Sequence, residues 1–269
     1  MTTRIDTCFA RLKGENRPAL ITFITAGDPS LATTEALIYE LEKQGADIIE
    51  LGMPFSDPSA DGPTIQASSE RALAAGTTVS KVLALVKKVR RRSQIPIVLF
   101  GYYNPIFARS PEKFAREARD AGADGVLVVD LPPEEAGELK PYLDQAGLNL
   151  IYLLAPTSTD ERIRLVAERA SGFVYYVQVT GVTGARQGLP ADLPEKLAAI
   201  RRHISLPVGV GFGVSSREQA RSVGRHGDAV VVGSAIVSRI GQSGSGRRMV
   251  KEVGRFVAQL RRGVEESRQ

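Results

Sequence analysis

The sequence predicts an α/β protein that folds as a closed barrel of eight strand–helix units, and three observations indicate this fold class. Short runs rich in β-branched and apolar residues alternate eight times with amphipathic stretches of roughly 10 to 15 residues. Such alternation is typical of a parallel sheet covered by helices. Eight such units within 269 residues favour closure into one (β/α)₈ TIM barrel with extra helices over an open sheet, and no break in composition marks a second domain. We expect residues 1–269 to form a single domain.

Each predicted strand is a short apolar run, and each predicted helix is an amphipathic run that follows it. Strands are expected at 19–25, 48–51, 97–102, 125–129, 148–154, 173–177, 207–211 and 229–232. Helices are expected at 31–44, 79–92, 111–121, 133–146, 160–170, 193–203, 216–225 and 246–263. Glycine and aspartate come just before strands 2, 4 and 8, and glycine suits the left-handed residue that ends a helix. These segments are therefore interpreted as structural turns at the amino end of the barrel.

Composition and charge argue against several classes of protein. The single cysteine, Cys8, rules out an internal disulfide framework and fits a reducing compartment. No signal-peptide pattern opens the chain, and no apolar run approaches the ~20 residues needed to cross a bilayer. A cytoplasmic protein that binds no membrane is expected. The net charge is +5, but the basic runs lie on predicted helices without a recognition motif, so we interpret them as solvated faces and expect no nucleic-acid partner.

Residues 50–66 carry the strongest chemical signal in the chain. Glu50 ends the apolar run of strand 2, and Asp57 and Asp61 follow on a loop stiffened by three prolines. Because a carboxylate at an apolar strand end loses hydration, two acids placed this way suggest an acid/base pair. Barrel enzymes carry their active sites at this carboxyl end of the strands. Asp28, after strand 1, is expected to cap the next helix instead.

Glycines cluster at the ends of the last three strands, where barrels often bind phosphate. Glycine lets backbone N–H groups approach an anion closely, and a helix that begins at Ser234 adds a favourable dipole. We therefore expect a phosphorylated ligand there. The residues are Gly184, Gly211, Gly213, Gly233 and Ser234.

Apolar and aromatic side chains are expected to line the space between the phosphate end and the two acids. Several aromatic rings at a rim suit a flat aromatic group, although each ring alone is more often plain core. The residues are Phe23, Phe100, Leu127, Leu153, Tyr175 and Phe212.

The remaining side chains disfavour other chemistries. The two histidines, His203 and His226, lie at predicted helix ends on the far side, which disfavours a zinc site or a histidine base. No lysine lies near the carboxyl end of a strand, which disfavours a Schiff base. Carboxylates, tyrosines and hydroxyls remain to move protons. The sequence thus indicates metal-free acid/base chemistry on a phosphorylated substrate with an apolar body.

Six segments of the chain resemble the alpha subunit family of tryptophan synthase, and the likeness spans most of the sequence. They are 23–29, 50–63, 103–105, 181–184, 211–213 and 233–235, and the second is close to the family signature. The resemblance implies retro-aldol cleavage of indole-3-glycerol phosphate to indole and glyceraldehyde 3-phosphate. It also implies an alpha2-beta2 assembly in which the beta subunit carries PLP and receives indole, whereas the alpha subunit carries no cofactor.

The resemblance also implies roles for individual residues. Glu50 would protonate the indole ring carbon and help to deprotonate the glycerol hydroxyl, and Asp61 would hold the indole N–H proton. Indole would contact Phe23, Phe100, Leu127, Tyr175 and Phe212. Phosphate would bind the backbone of Gly184, Gly213, Gly233 and Ser234, and Thr183 would hydrogen-bond Asp61. Contacts to the beta subunit would come from Pro54, Asp57, Pro58 and Asn104.

Three other functions are consistent with parts of this pattern. A stand-alone lyase that releases free indole would use the same residues without a partner. A barrel that only regulates the beta subunit would not need intact Glu50 and Asp61. An indole-glycerol phosphate synthase would need a lysine acid, and none is evident at the strand ends.

Overall fold

Eight parallel strands close into a barrel, which confirms the predicted fold class. The computed structural model describes residues 2–177, 192–244 and 246–268. Each strand pairs with the next along the chain, and the last strand pairs with the first. The strands are β1 Ala19–Thr25, β2 Ile48–Gly52, β3 Ile97–Gly101, β4 Gly125–Val128, β5 Asn149–Leu154, β6 Val174–Val177, β7 Val208–Gly211 and β8 Ala229–Val232. β1 and β8 match the predicted bounds, and each other strand differs by one residue at one end.

Helices surround the barrel, and α1, α3 and α5 are additions to the predicted set. The helices are α1 Arg4–Gly14, α2 Leu31–Lys43, α3 Pro63–Ala74, α4 Val79–Val89, α5 Tyr103–Phe107, α6 Pro111–Ala121, α7 Lys140–Ala146, α8 Asp160–Arg169, α9 Leu193–Arg201, α10 Arg217–Gly224, α11 Ser234–Gln242 and α12 Arg247–Glu265. Short 3₁₀ helices occupy Pro133–Glu138 and Glu266–Arg268. Within the part of the chain that the structure describes, no helix is long and apolar enough to cross a membrane.

Two predicted helices differ from the structure for identifiable reasons. The predicted helix 133–146 is broken at Leu139, because Pro141 lacks an N–H group and restrains the residue before it. The last predicted helix was expected to end at Gly263, but α12 continues to Glu265. A β carbon at Gly263 would lie 2.2 Å from the Arg217 carbonyl oxygen, so this glycine permits close packing on α10 and does not end the helix.

Helix α1 closes the amino end of the barrel. Its apolar face carries Ile5, Cys8, Phe9 and Leu12, which pack with inward-facing strand residues into one buried cluster. A capping box in which Thr3 and Asp6 bond each other's backbone begins the helix. The inside of the barrel is therefore filled from below, which leaves the carboxyl ends of the strands for a site.

A polar side chain just before each even-numbered strand accepts a hydrogen bond from the backbone of the preceding strand, at distances of 2.8–2.9 Å. This contact confirms that the Gly–Asp turns at the amino end are structural. The four pairs are Asp47 with the Leu20 N–H, Asp124 with Ile97, Ser171 with Leu150, and Asp228 with Val208.

Arginines converge on two of these aspartates, so the interpretation of all basic runs as solvated faces is wrong in part. Arg261 bonds Asp47 at 3.1 Å and is only 18% exposed. Arg90 is only 10% exposed and bonds Asp124 at 2.6 Å. These two arginines are thus structural partners of buried carboxylates.

Candidate active site

Glu50 lies at the centre of the carboxyl end of the barrel. It occupies β2 in register with Phe23 on β1 and Val98 on β3, and only 1% of it is exposed. Neither carboxyl oxygen has a hydrogen-bond partner among the described residues. A buried carboxyl without a partner is costly in its charged form, so this position favours the neutral acid.

Burial raises the pKa of Glu50 to about 8. The side chain is therefore predominantly protonated near neutral pH and can donate a proton to a bound substrate. Once it has done so, the resulting carboxylate is a base of matching strength. Such a group suits general acid–base catalysis close to neutral pH.

Asp61 is half-buried on the loop between β2 and α3, and Tyr102 holds it. The Tyr102 hydroxyl donates to Asp61 Oδ2 at 2.9 Å and accepts the Ala60 N–H at 3.0 Å. The ring of Tyr102 also packs against Phe55, with ring centroids 5.2 Å apart. Tyr102 thus links the end of β3 to the loop that carries the second acid.

Two opposing effects act on the pKa of Asp61. Burial raises it above the ordinary value, and the hydrogen bond from Tyr102 lowers it in part. Burial and the adjacent carboxylate raise the pKa of Tyr102 well above its ordinary value, so its hydroxyl stays protonated as the donor. Sequence reasoning assigned no role to Tyr102, because only the fold brings it to Asp61.

Helix α3 anchors the Asp61 loop. The Gln66 side-chain amide donates to the Asp61 carbonyl oxygen at 2.9 Å and to that of Pro58 at 3.4 Å. The Asp61 N–H also bonds the Pro58 carbonyl oxygen at 3.0 Å. The loop therefore has defined backbone contacts in this structure.

Helix α3 is in turn fixed to the end of β1. Arg71 donates twice to Asp28 at 2.8 Å, and the hydroxyls of Thr25 and Ser68 lie 2.6 Å apart. The expectation that Asp28 caps α2 is wrong, because the side chain of Ser30 caps that helix. Asp28, which is 1% exposed, instead anchors the helix that follows the Asp61 loop.

Aromatic residues that were expected to line the substrate pocket lie on β1, β3 and β6. Phe23 and Phe100 meet edge to face with centroids 5.1 Å apart, and Tyr175 is half-buried on β6. Leu127 is fully buried in the inner cluster, against which Phe100 and Tyr175 pack. It pairs in register with Phe100 on the neighbouring β3.

Phe212 does not join this group in the structure. Its ring packs against Tyr176, with centroids 5.7 Å apart, and against the core between strands and helices. Residues alternate between the two faces of a strand, and β7 turns Gly209 and Gly211 inward. Phe212 thus follows the outward positions, and its contact with substrate stays a prediction.

The predicted phosphate end is described in part. Gly213 has φ +64°, a left-handed conformation that suits glycine, and nothing lies within 4 Å of where its side chain would be. Gly233 and Ser234 begin α11, whose first turn has no side-chain cap. Free N–H groups at a helix start suit an anion. Thr183 and Gly184 lie outside the described residues.

The residues expected to contact a partner differ in their exposure. Asp57 and Asn104 are exposed, Pro58 is half-buried, and Pro54 is buried. Phe107 lies three residues after Asn104, and its side chain is 61% exposed. Among the described residues, it is the one large hydrophobic side chain that is exposed to solvent. Its position at the end of a short unpredicted helix explains why sequence reasoning passed over it.

A closed (β/α)₈ barrel with a neutral buried acid and a second acid on an adjoining loop defines an enzyme suited to acid–base chemistry. The family model described as tryptophan synthase alpha chain matches residues 9–265. The chain is 58% identical to the tryptophan synthase alpha chains of Geotalea daltonii and Geobacter sulfurreducens, over 97% of this chain and 98% and 99% of theirs. The chain therefore belongs to the tryptophan synthase alpha chain family, a family of carbon–carbon lyases.

Solved structures agree with this assignment. Tryptophan synthase subunit alpha from Legionella pneumophila superposes with a TM-score of 0.89 at 37% identity, covering 98% of this chain and 99% of that one. A Mycobacterium tuberculosis tryptophan synthase structure gives a TM-score of 0.89 at 35% identity, covering 98% and 99%.

Proposed function

We propose that the chain cleaves indole-3-glycerol phosphate to indole and glyceraldehyde 3-phosphate, with Glu50 as the group that gives and takes protons and Asp61 as the carboxylate that holds the indole N–H. Family membership supports the reaction. The observation that supports the assignment of the residues is the unpartnered carboxyl of Glu50, whose pKa burial raises to about 8. The reading of the chain as a barrel that only regulates a partner is not favoured.

The proposed reaction moves two protons in sequence. Protonated Glu50 donates to the ring carbon that bears the glycerol chain, and positive charge develops on the ring nitrogen. Asp61 accepts the hydrogen bond of the ring N–H and stabilises that charge. The Glu50 carboxylate then takes the proton of the hydroxyl on the adjoining carbon. The carbon–carbon bond breaks, its electron pair returns to the ring, and the hydroxyl carbon becomes an aldehyde.

The proposed substrate contacts use the residues that the sequence predicts. Indole is proposed to lie against Phe23, Phe100, Leu127 and Tyr175. Phosphate is proposed to bind the backbone N–H groups of Gly213, which follows β7, and those of Gly233 and Ser234 at the start of α11. The contacts assigned to Thr183, Gly184 and Phe212 rest on the sequence resemblance.

The proposed partner is a tryptophan synthase beta subunit that binds PLP and consumes the indole. Family membership supports this pairing. The exposed residues Asp57, Asn104 and Phe107, close to the catalytic loop, are the proposed contact surface. The alpha chain itself is proposed to use no cofactor.

Indole release from indole-3-glycerol phosphate tests the proposal. We expect Glu50→Gln and Asp61→Asn each to lower kcat by at least about 100-fold, because the first removes the proton donor and the second removes the charge that stabilises the protonated ring. Thermal unfolding of each variant provides the control for folding. Substantial turnover by folded Glu50→Gln would show that another group donates the proton.

A further inference from the structure

Gly52 makes room for an aromatic ring directly above the catalytic acid. Glu50 and Gly52 are two residues apart on β2 and therefore face the same inner side of the barrel, with Gly52 nearer its open end. A β carbon at Gly52 would lie 2.6 Å from Cζ of Phe23 and 3.0 Å from its Cε2. The Phe23 ring thus occupies the space that any other residue at 52 would fill.

The other neighbours of Phe23 limit where its ring can move. The ring of Phe100 meets it edge to face at 5.1 Å between centroids. The Gly233 backbone lies behind it, since a β carbon there would come within 3.4 Å of Phe23 Cβ. A ring displaced from Gly52 would therefore move into the space above Glu50.

The same arrangement recurs across the barrel. Tyr175 on β6 pairs in register with Gly209, and a β carbon two residues later, at Gly211, would lie 2.4 Å from the Tyr175 hydroxyl. Phe23 likewise pairs with Glu50, two residues before Gly52. Two aromatic rings of the site thus lean over a glycine of the next strand with the same offset.

We propose that Gly52 is a specificity-determining residue, because its missing side chain positions the Phe23 ring and so fixes the room for a flat aromatic group over Glu50. This inference rests on the proposed cleavage of an indole substrate. Gly52 acts through Phe23 and needs no contact with the substrate itself.

Four variants test the inference by a double-mutant cycle: Gly52→Ala, Phe23→Leu, the double variant, and Gly101→Ala as control. Gly101 is a buried strand-end glycine on the neighbouring β3, but a β carbon there would meet the flexible end of Met53 at 2.9 Å. KM and kcat are measured with indole-3-glycerol phosphate and with analogues methylated on the ring. Titration calorimetry with indole measures the Kd of the same pocket without turnover.

Gly52→Ala is expected to raise KM and the indole Kd about 10-fold, and more for the methylated analogues. Leucine at position 23 lacks the ring atoms that the new methyl group would strike. In the Phe23→Leu background, Gly52→Ala should therefore change both constants less than about twofold. Gly101→Ala should resemble the wild type.

Equal losses from Gly52→Ala in both backgrounds, or no loss in either, would overturn the inference. If the single alanine variant does not fold, folding of the double variant supports the inference and its failure to fold contradicts it. An inactive wild-type protein would instead overturn the proposed function, and the indole Kd values would still decide the role of Gly52.

Discussion

A single residue, Glu50, makes the stability of the protein depend on pH. Its pKa is about 8 in the folded protein and about 4.5 when the chain unfolds. Between these values the folded state binds more protons, so stability falls as pH rises, by at most ~1.4 kcal/mol per unit. Below the lower value this contribution is fully present, and above the higher one it is lost.

Glu50→Gln should therefore flatten the decline in stability between about pH 5 and pH 8, because glutamine does not ionise. Urea unfolding of both proteins across this range measures the effect. The comparison uses slopes, since a buried amide adds a constant cost of its own. Equal slopes in the two proteins would contradict the raised pKa of Glu50.

Tyr102→Phe tests the hydrogen bond that holds Asp61. Because this bond lowers the pKa of Asp61, its loss should raise that pKa further and move the acidic limb of kcat/KM to higher pH. Tyr152→Phe is a matched control, since the buried Tyr152 hydroxyl has no partner among the described residues. An unchanged acidic limb in Tyr102→Phe would show that Tyr102 does not lower the pKa of Asp61.

Sequence reasoning located Glu50 at a buried strand end but could not identify Tyr102 as a hydrogen-bond partner of Asp61. The apolar run before Glu50 and the barrel rule suffice to place it. Tyr102 lies 41 residues from Asp61 in the chain, and only the pairing of β2 with β3 brings the two together. The packing of Phe212 against Tyr176 could not be predicted either, because it depends on which face of the strand the chain presents near the end of β7.

The aspartates before β4 and β8 make the same contact with the preceding strand but differ in exposure to solvent. Asp124 is 3% exposed at its side chain and bonds Arg4, Arg90 and the Ile97 N–H. Asp228 is 39% exposed and bonds the exposed Arg201 and the Val208 N–H. The hydrogen bond from the backbone of the preceding strand is therefore buried at Asp124 and lies near solvent at Asp228.

Asp124→Ala should cost about 3 kcal/mol of unfolding free energy, because it leaves the buried Arg90 without its carboxylate. Asp228→Ala should cost about 1 kcal/mol, since water replaces its lost bonds. Urea unfolding measures both values. Both folded variants should retain indole release, as these residues lie at the far end of the barrel, and equal costs would contradict the argument from burial.

The missed helices differ in how visible they are in the sequence. α1 carries apolar residues at 5, 8, 9 and 12 and a capping box at its start, so its pattern was readable. α3 buries only small residues, Ser68, Ser69 and Ala72, and gives a weak apolar pattern. α5 spans five residues, too short for any period to be recognised.

At the scale of the whole molecule, the proposed partner surface includes the exposed Phe107. Phe107→Ser should weaken association with the beta subunit at least about 10-fold while leaving the fold intact, because an exposed aromatic side chain commonly anchors an interface. Lys43→Ser, at the opposite end of the barrel, provides the control. Gel filtration and titration calorimetry with the beta subunit measure the change, and unchanged affinity for Phe107→Ser would remove this residue from the interface.

The barrel as a whole was predictable because its strands are short apolar runs at regular spacing. The packing at its amino end was not, since Arg90 and Arg261 look like solvated helix charges until the fold brings them to Asp124 and Asp47. That residues 1–269 form a single domain stays a prediction.

The pH dependence of kcat/KM for indole release tests the central claim most directly. If protonated Glu50 is the acid, the rate should fall tenfold per pH unit above about pH 8, where its carboxyl ionises. The measurement covers about pH 6 to pH 10 in the wild-type protein. A profile that stays level through this range would contradict the assignment of Glu50 as the proton donor.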